Sequence, residues 1–378
     1  MNDGNIRNEE GMMYYKNLCR ELTENGIKCI VTLFHADLPL SIYNEGSWLT
    51  DETIDYFVQF AQYCFEELGE WVEYWITFNE IRMHAWSGIV KVEGEPYHSL
   101  DLPYKKFIGD VPIENAIMIG TKNMMIAHAK VYRLYKKKYD DKYNGQIGIV
   151  VGGHFCYDEN EDISSISSRV TDSMVGMNLD PLINNEHQWS PITIQYLNPL
   201  FNKQDKQLIK GTIDFIGLNY YRPHLVSEKG QRNGLAEQLF NFSYVNDKWP
   251  RISGDSSWLR FHPKGLFSML EYMRDKYQDI PILITENGLA DLPNGDSFED
   301  NNRIEYMKGH IEVIKQGRMN GFNVIGYTAW SLMDNLEWDD GFSLKFGLFH
   351  VDFNSNDIIR REKKSVQYYR HAINSFQM

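Results

Sequence analysis

Six short apolar runs rich in β-branched residues recur along the chain, separated by longer stretches of helical periodicity. They are Ile27–Phe34, Tyr74–Phe78, Gln146–Val151, Ile213–Leu218, Ile282–Thr285 and Val324–Ala329. Each is apolar on both faces instead of alternating. A strand of that kind needs cover on both sides, which a parallel sheet flanked by helices supplies. The intervening stretches fit. From Asp51 to Leu68, residues Ile54, Phe57, Val58, Ala61, Phe65 and Leu68 share one helical face, with Thr50 or Asp51 to cap the start and Gly69 the end. Glu9 to Glu24, Glu114 to Tyr139, Pro263 to Tyr277 and Asn301 to Arg318 read as further helices, whereas Ser164 to Asn202 is weakly patterned and expected to be irregular. Repeated strand–helix–strand units predict an α/β fold with a parallel sheet.

An open doubly wound sheet and a closed barrel both satisfy that pattern. The open form usually carries a glycine-rich phosphate turn after its first strand, and neither GxGxxG nor GxxxxGK[ST] occurs here. With 378 residues and no break in composition, a single barrel domain spanning 1–378 is expected. A net charge of −14 disfavours nucleic acid and anionic membranes as partners. No apolar run approaches the ~18 residues of a membrane span. The basic run Lys136–Lys137–Lys138 precedes Asp140–Asp141 and reads as a solvated helix end. Cys19, Cys29, Cys64 and Cys156 have no metal or disulfide-framework spacing and read as buried thiols. HExxH and GxSxG are absent, so neither metal nor serine hydrolysis is indicated and no cofactor is expected. The polar start, Met1 to Asn5, has no export signal, which leaves the compartment open.

Polar residues gather at the carboxyl ends of the apolar runs: His35 after the first, Asn79–Glu80 after the second, Asn219–Tyr220–Tyr221 after the fourth, Glu286–Asn287 after the fifth and Trp330 after the sixth. In a parallel barrel those ends open on the face where barrel enzymes work. Two carboxyl groups without a cofactor suit glycosidic cleavage, in which one protonates the leaving oxygen and the other attacks the anomeric carbon or activates water. The bland alternatives are structural ion pairs for the glutamates, turn or cap roles for Asn79 and Asn219, and core packing for His35, Tyr221 and the tryptophans.

These residues lie in segments that resemble family 1 glycoside hydrolases, the β-glucosidase and β-galactosidase type. The segments, in order, are Val31–Pro39, Trp75–Glu80, Asp214–Tyr221, Ile284–Gly288 and Trp330–Trp338 followed by Phe346–Gly347. The resemblance implies a (β/α)8 TIM-type barrel and a retaining exo-β-glycosidase acting on small β-glucosides, β-galactosides or oligosaccharides through a covalent glycosyl-enzyme. It implies Glu80 as acid/base and Glu286 as nucleophile, with carboxyl groups about 5–5.5 Å apart. By the same resemblance, Asn79 meets the sugar 2-hydroxyl, His35 the 3-hydroxyl region and Glu337 the 4- and 6-hydroxyls. Tyr221 donates to Glu286, Trp330 and Trp338 floor the site, and Asn219 and Phe346 complete the substrate-binding set. Asp334–Asn335 read as loop formers.

The sequence also departs from the family pattern. It matches from just before the third barrel strand onward, so six of eight strands are expected, with the first and last as open edges and self-association through them. Ala36, Ile81 and Leu336 replace residues usual at their positions. A phospho-β-glycosidase is disfavoured because Glu337 would repel a phosphate and Leu344 offers no charge. A non-hydrolysing, weakly active relative stays open as the second reading. Asn241–Phe242–Ser243 fits a glycosylation acceptor that matters only in a secreted protein.

Overall fold

The computed structural model describes residues 7–87, 104–227, 243–244, 249–252, 258–291 and 296–376, so Asn241 and Phe242 of the Asn-x-Ser triplet lie outside it. The described chain forms two compact units, Met1–Val151 with Asp172–Gly217, and Gly152–Thr171 with Leu218–Met378.

The first unit holds β1 (Cys29–Phe34), β2 (Val72–Asn79) and β3 (Gln146–Gly152, which runs one residue past it). β1 and β2 pair in parallel with Val31 beside Trp75 and Phe34 beside Phe78, and β2 pairs in parallel with β3. Helices Glu9–Glu24, Asp51–Leu68 and Ile113–Lys138 accompany them, close to the bounds expected from periodicity. The amphipathic face of Asp51–Leu68 explains the core. Phe57 stacks on Phe78 with ring centroids 4.4 Å apart, and Phe65 meets Trp75 edge-on at 4.8 Å. The basic run ends its helix as expected, and Lys136 pairs with Asp140 at 2.9 Å and Asp214 at 3.0 Å.

The stretch expected to be irregular is instead a series of short helices: Ser165–Thr171, Met177–Ile183, Pro191–Tyr196 and then Lys203–Ile209. Caps, not periodicity, write this part of the fold. Asp180 is buried and accepts from the Ser190 N–H at 2.8 Å and the Thr193 hydroxyl at 3.0 Å, while Asn202 caps the last helix through the Gln204 and Asp205 N–H groups. Helices this short carry too few turns for an apolar stripe to register.

The second unit holds β4 (Cys156–Asp158), the end of β5 (Phe215–Asn219), β6 (His224–Val226), β7 (Ser243–Tyr244), β8 (Ile282–Glu286), β9 (Val324–Tyr327), β10 (Phe349–Val351) and β11 (Arg360–Glu362). β8 and β9 are parallel, β4, β6 and β7 form a small mixed sheet, and β10–β11 is an antiparallel pair. Every residue of β5 is buried, as the two-sided apolar pattern requires. β1 and β9 are not: Thr32 and Ile325 are exposed, and further residues in both strands are half-buried. Both stand last in their strand order among the described residues, so each has a neighbour on one side only. No helix among the described residues is long and apolar enough to cross a membrane.

Candidate active site

In the first unit, β2 delivers Asn79 and Glu80. Glu80 takes a φ of +43°, the left-handed region that side chains with a Cβ rarely adopt. It is fixed there by its own backbone, whose N–H donates to the Val150 carbonyl at 3.0 Å while its carbonyl accepts from the His84 N–H at 3.2 Å. Strain of this kind concentrates where a side chain must be aimed. Asn79 is buried, with its amide nitrogen 3.4 Å from His35 Nε2. Burial lowers the His35 pKa, only partly offset by Asp37, and pushes His84 beside it down to about 3. Both rings are therefore neutral at pH 7. Deeper in β2, the Thr77 hydroxyl donates to His128 Nδ1 at 2.7 Å and His128 Nε2–H donates to the Thr212 carbonyl at 2.6 Å, an assignment that uses the neutral ring its burial enforces.

In the second unit, Glu286 is the last residue of β8 and is half-buried. The Tyr221 hydroxyl donates to Glu286 Oε2 at 2.8 Å. That tyrosine is held from several directions: its ring meets Trp258 and Phe346 edge-on at 5.5 and 6.3 Å, and its carbonyl accepts from the Tyr306 hydroxyl. The Tyr220 N–H donates to the Glu286 carbonyl at 2.8 Å, and Asn287 joins the same support, donating to the Tyr220 carbonyl at 2.7 Å and accepting from the Tyr327 hydroxyl at 3.0 Å. Asn219 is buried and accepts from the Thr285 hydroxyl at 2.7 Å. The residue after Asn287 must be glycine: a Cβ on Gly288 would sit 1.8 Å from the Trp330 carbonyl oxygen.

The segment after β9 carries Trp330, Glu337 and Trp338. The Trp330 N–H donates to the Asn287 carbonyl at 2.9 Å, tying this segment to the end of β8. Burial pushes the Glu337 carboxyl up to about 7, helped by the Asp340 charge and opposed by a hydrogen bond from the Trp330 side chain. Trp338 is 42% exposed on a short 3-10 turn, and Phe346 is 2% exposed, packed in the core cluster behind Tyr221. Asp334 anchors the whole segment. Its carboxylate accepts from the Gly347 N–H at 2.9 Å, the Val351 N–H at 3.2 Å and Lys363 Nζ at 3.0 Å. Lys363 also reaches Asp291 at 2.8 Å, and Arg303 pairs with Asp291 and Asp300; Lys363, Arg303 and Asp300 are buried and Asp291 is half-buried.

The predicted residues thus fall into two sets, His35, Asn79 and Glu80 in the first unit and Asn219, Tyr221, Glu286, Trp330, Glu337, Trp338 and Phe346 in the second. The supporting roles of Thr285, Asn287, Trp258, Tyr306 and Asp334 are not assigned by the sequence, although Asn287 is among the polar residues that gather at the strand ends. Thr285, Asn287 and Asp334 stand inside the matching motifs, but their polarity alone does not separate a support from a turn former. Trp258 and Tyr306 lie outside every motif and carry no local signal.

The profile of Glycosyl hydrolase family 1 matches residues 2–378. The chain is a member of glycosyl hydrolase family 1. Its relatives in the family include β-glucosidase 12 of Oryza sativa subsp. indica, 32% identical over 97% of this chain and 75% of the rice protein, and β-glucosidase 32 of Arabidopsis thaliana, 33% identical over 97% and 72%. Among solved structures, an aphid myrosinase superposes with a TM-score of 0.85 at 29% identity, covering 98% of this chain and 80% of that one. A rice β-glucosidase mutant in a covalent complex with Glc superposes with a TM-score of 0.82 at 27% identity, covering 97% and 80%. This family 1 chain is accordingly an α/β protein of TIM-barrel type and a glycoside hydrolase, a retaining β-glycosidase that works through a covalent glycosyl-enzyme.

Proposed function

We propose that the chain is one glycosidase domain that releases terminal sugars from small β-glucosides or β-galactosides, with Glu286 as nucleophile and Glu80 as acid/base. The observation that carries the assignment is the hydrogen bond from Tyr221 to Glu286. A donor on a carboxylate stabilises the anion, the form that attacks. Glu80 protonates the leaving oxygen as Glu286 bonds to the anomeric carbon, and the aglycone leaves as its alcohol. Glu80, now ionised, takes a proton from water, which attacks the same carbon and frees Glu286.

The remaining residues grip the sugar. Neutral His35 bonds the 3-hydroxyl region, Asn79 the 2-hydroxyl, where contacts strengthen in the oxocarbenium-like transition state, and Glu337 the 4- and 6-hydroxyls. Asn219, through Thr285, and Phe346, behind Tyr221, steady this arrangement, while Trp330 and Trp338 offer the apolar ring surface a pyranose face fits. The one-sided edges of β1 and β9 also suit self-association of the chain.

Azide rescue tests the roles on an aryl β-glucoside, whose good leaving group needs little acid help. Glu286→Gly with azide is expected to yield the α-glycosyl azide, because azide then attacks in place of the carboxylate. Glu80→Ala with azide is expected to yield the β-glycosyl azide, formed from the glycosyl-enzyme. The reverse pattern, or no effect of either substitution on turnover, overturns the assignment.

A further inference from the structure

Two of the four buried thiols touch. Cys19 lies in the penultimate turn of helix Glu9–Glu24, Cys29 opens β1, and their Sγ atoms are 3.2 Å apart. The helix terminates at Asn25, Gly26 follows with a φ of +72°, and the Ile27 N–H donates back to the Leu22 carbonyl at 2.9 Å, so the chain reverses at once and lays the strand beside the helix it has just left.

We propose that Cys19 and Cys29 are a disulfide-forming pair that locks helix Glu9–Glu24 onto the first strand. A disulfide needs sulfurs about 2.05 Å apart, roughly 1.2 Å closer than the observed contact. The chemistry has a direction. The Cys29 thiol donates to Cys19 Sγ, which favours the thiolate at Cys19 and disfavours it at Cys29. Cys19 is therefore the attacking sulfur. With glutathione disulfide as oxidant, the Cys19 thiolate displaces one glutathione thiolate and forms a mixed disulfide. Cys29 then loses its proton to solvent, attacks the Cys19 sulfur and expels the second glutathione. Two protein thiols and one glutathione disulfide become one protein disulfide and two glutathione thiols.

Both sulfurs belong to residues only 3% exposed, so the oxidant gains access only when the helix lifts. The helix is built to lift readily. Met12 and Cys19 are its buried residues, Met13, Tyr14, Tyr15 and Leu18 are exposed, and its side-chain ties to the neighbouring helix include the Lys16–Glu67 ion pair at 2.6 Å and a Tyr63–Glu9 hydrogen bond at 3.2 Å. Elements with so little buried surface open locally well below the free energy of global unfolding. Oxidation would then remove the very opening that admits the oxidant, because a closed loop of about 11 residues lowers the opening equilibrium roughly 100-fold on chain entropy alone.

The test uses the full chain, reduced and then equilibrated in buffers of glutathione and glutathione disulfide without denaturant. Free thiols are alkylated and peptides mapped. The expected result is a 2 Da loss, a Cys19–Cys29 cross-linked peptide, alkylated Cys64 and Cys156, and hydrogen exchange in residues 9–24 slowed about 100-fold in the oxidised form. Cys19→Ser should abolish the cross-link, and Cys29→Ser should leave a stable glutathione adduct on Cys19, so the proposal does not depend on one variant folding well. Four alkylated cysteines in the wild type at every ratio, a lasting adduct on wild-type Cys19, or a cross-link that forms only in urea would each overturn it.

Discussion

The proposed function asks Glu337 to be an anion for the sugar, yet the residue is housed where an anion is unwelcome, so Glu337→Gln should move stability and activity in opposite directions. Burial pushes its carboxyl from an ordinary 4.5 up to about 7. The folded protein then holds a proton that the unfolded chain releases above about pH 4.5. Folding therefore draws stability from this group below that pH and loses it as pH climbs toward about 7, with nothing further lost beyond. At 1.36 kcal/mol for each pH unit between the two values, the loss at pH 8 is about 3 kcal/mol. Glutamine keeps the shape and an acceptor for the Trp330 side chain but carries no charge. The variant should match the wild type near pH 4 and exceed it by about 2–3 kcal/mol at pH 8. Urea unfolding of both proteins between pH 4 and 8 reads this difference, in which the other titrating groups cancel. Turnover of a β-glucoside should fall meanwhile by about 1.5–3 kcal/mol in kcat/KM, the worth of a charged acceptor to the hydroxyls. A stability difference that stays constant with pH would refute the reasoning about burial. Unchanged kinetics on every β-glycoside would show that Glu337 does not meet the sugar.

Tyr221→Phe removes the donor on Glu286 and leaves the ring packing on Trp258 and Phe346, so kcat/KM should drop about 10- to 100-fold with the melting temperature nearly unchanged, as steady-state kinetics and calorimetry together would show. Gly288→Ala places a methyl group against the Trp330 carbonyl and should cost about 1–3 kcal/mol as well as most of the activity, measured by thermal unfolding and turnover. Lys363→Met leaves buried Asp334 and half-buried Asp291 with fewer partners and should destabilise by about 3–5 kcal/mol in urea unfolding; a change below about 1 kcal/mol would mean the two carboxylates find other partners.

Much of the fold and site is legible in the sequence because the strands announce themselves twice, by two-sided apolarity and by the polar residue that ends each run. The apolar runs alone place Asn79–Glu80 and Glu286 at strand ends, and the family resemblance pairs Tyr221 with Glu286. What stays hidden has physical causes. The helices between Ser165 and Ile209 are too short for periodicity, and the residue that organises part of them, Asp180, looks like any other acidic residue until its Ser190 and Thr193 donors are seen. Asp334 reads as a loop former, and it does form a loop, but by gathering backbone N–H groups and a lysine that lie 13 to 29 residues further on. β1 and β9 have apolar sequences like that of β5, so the two-sided pattern alone does not mark them as edges; it is the family resemblance that does, and they do stand last in the strand order among the described residues. Phe346, which the resemblance groups with the sugar-binding residues, makes ring contacts with both Tyr221 and Trp258, neither of which its position in the sequence announces.

The left-handed backbone of Glu80 bears on how a substrate complex is best captured. Under the proposed roles, replacing Glu80 slows cleavage of any glycoside whose leaving group needs a proton, and alanine or glutamine there keeps a Cβ in a conformation that disfavours one by about 1–2 kcal/mol. Glycine removes the carboxyl and the strain together. Glu80→Gly is therefore the trapping variant to make first: it should melt higher than Glu80→Ala, and a lattice grown from it would hold the sugar against a scaffold that has relaxed only where the proton donor used to be.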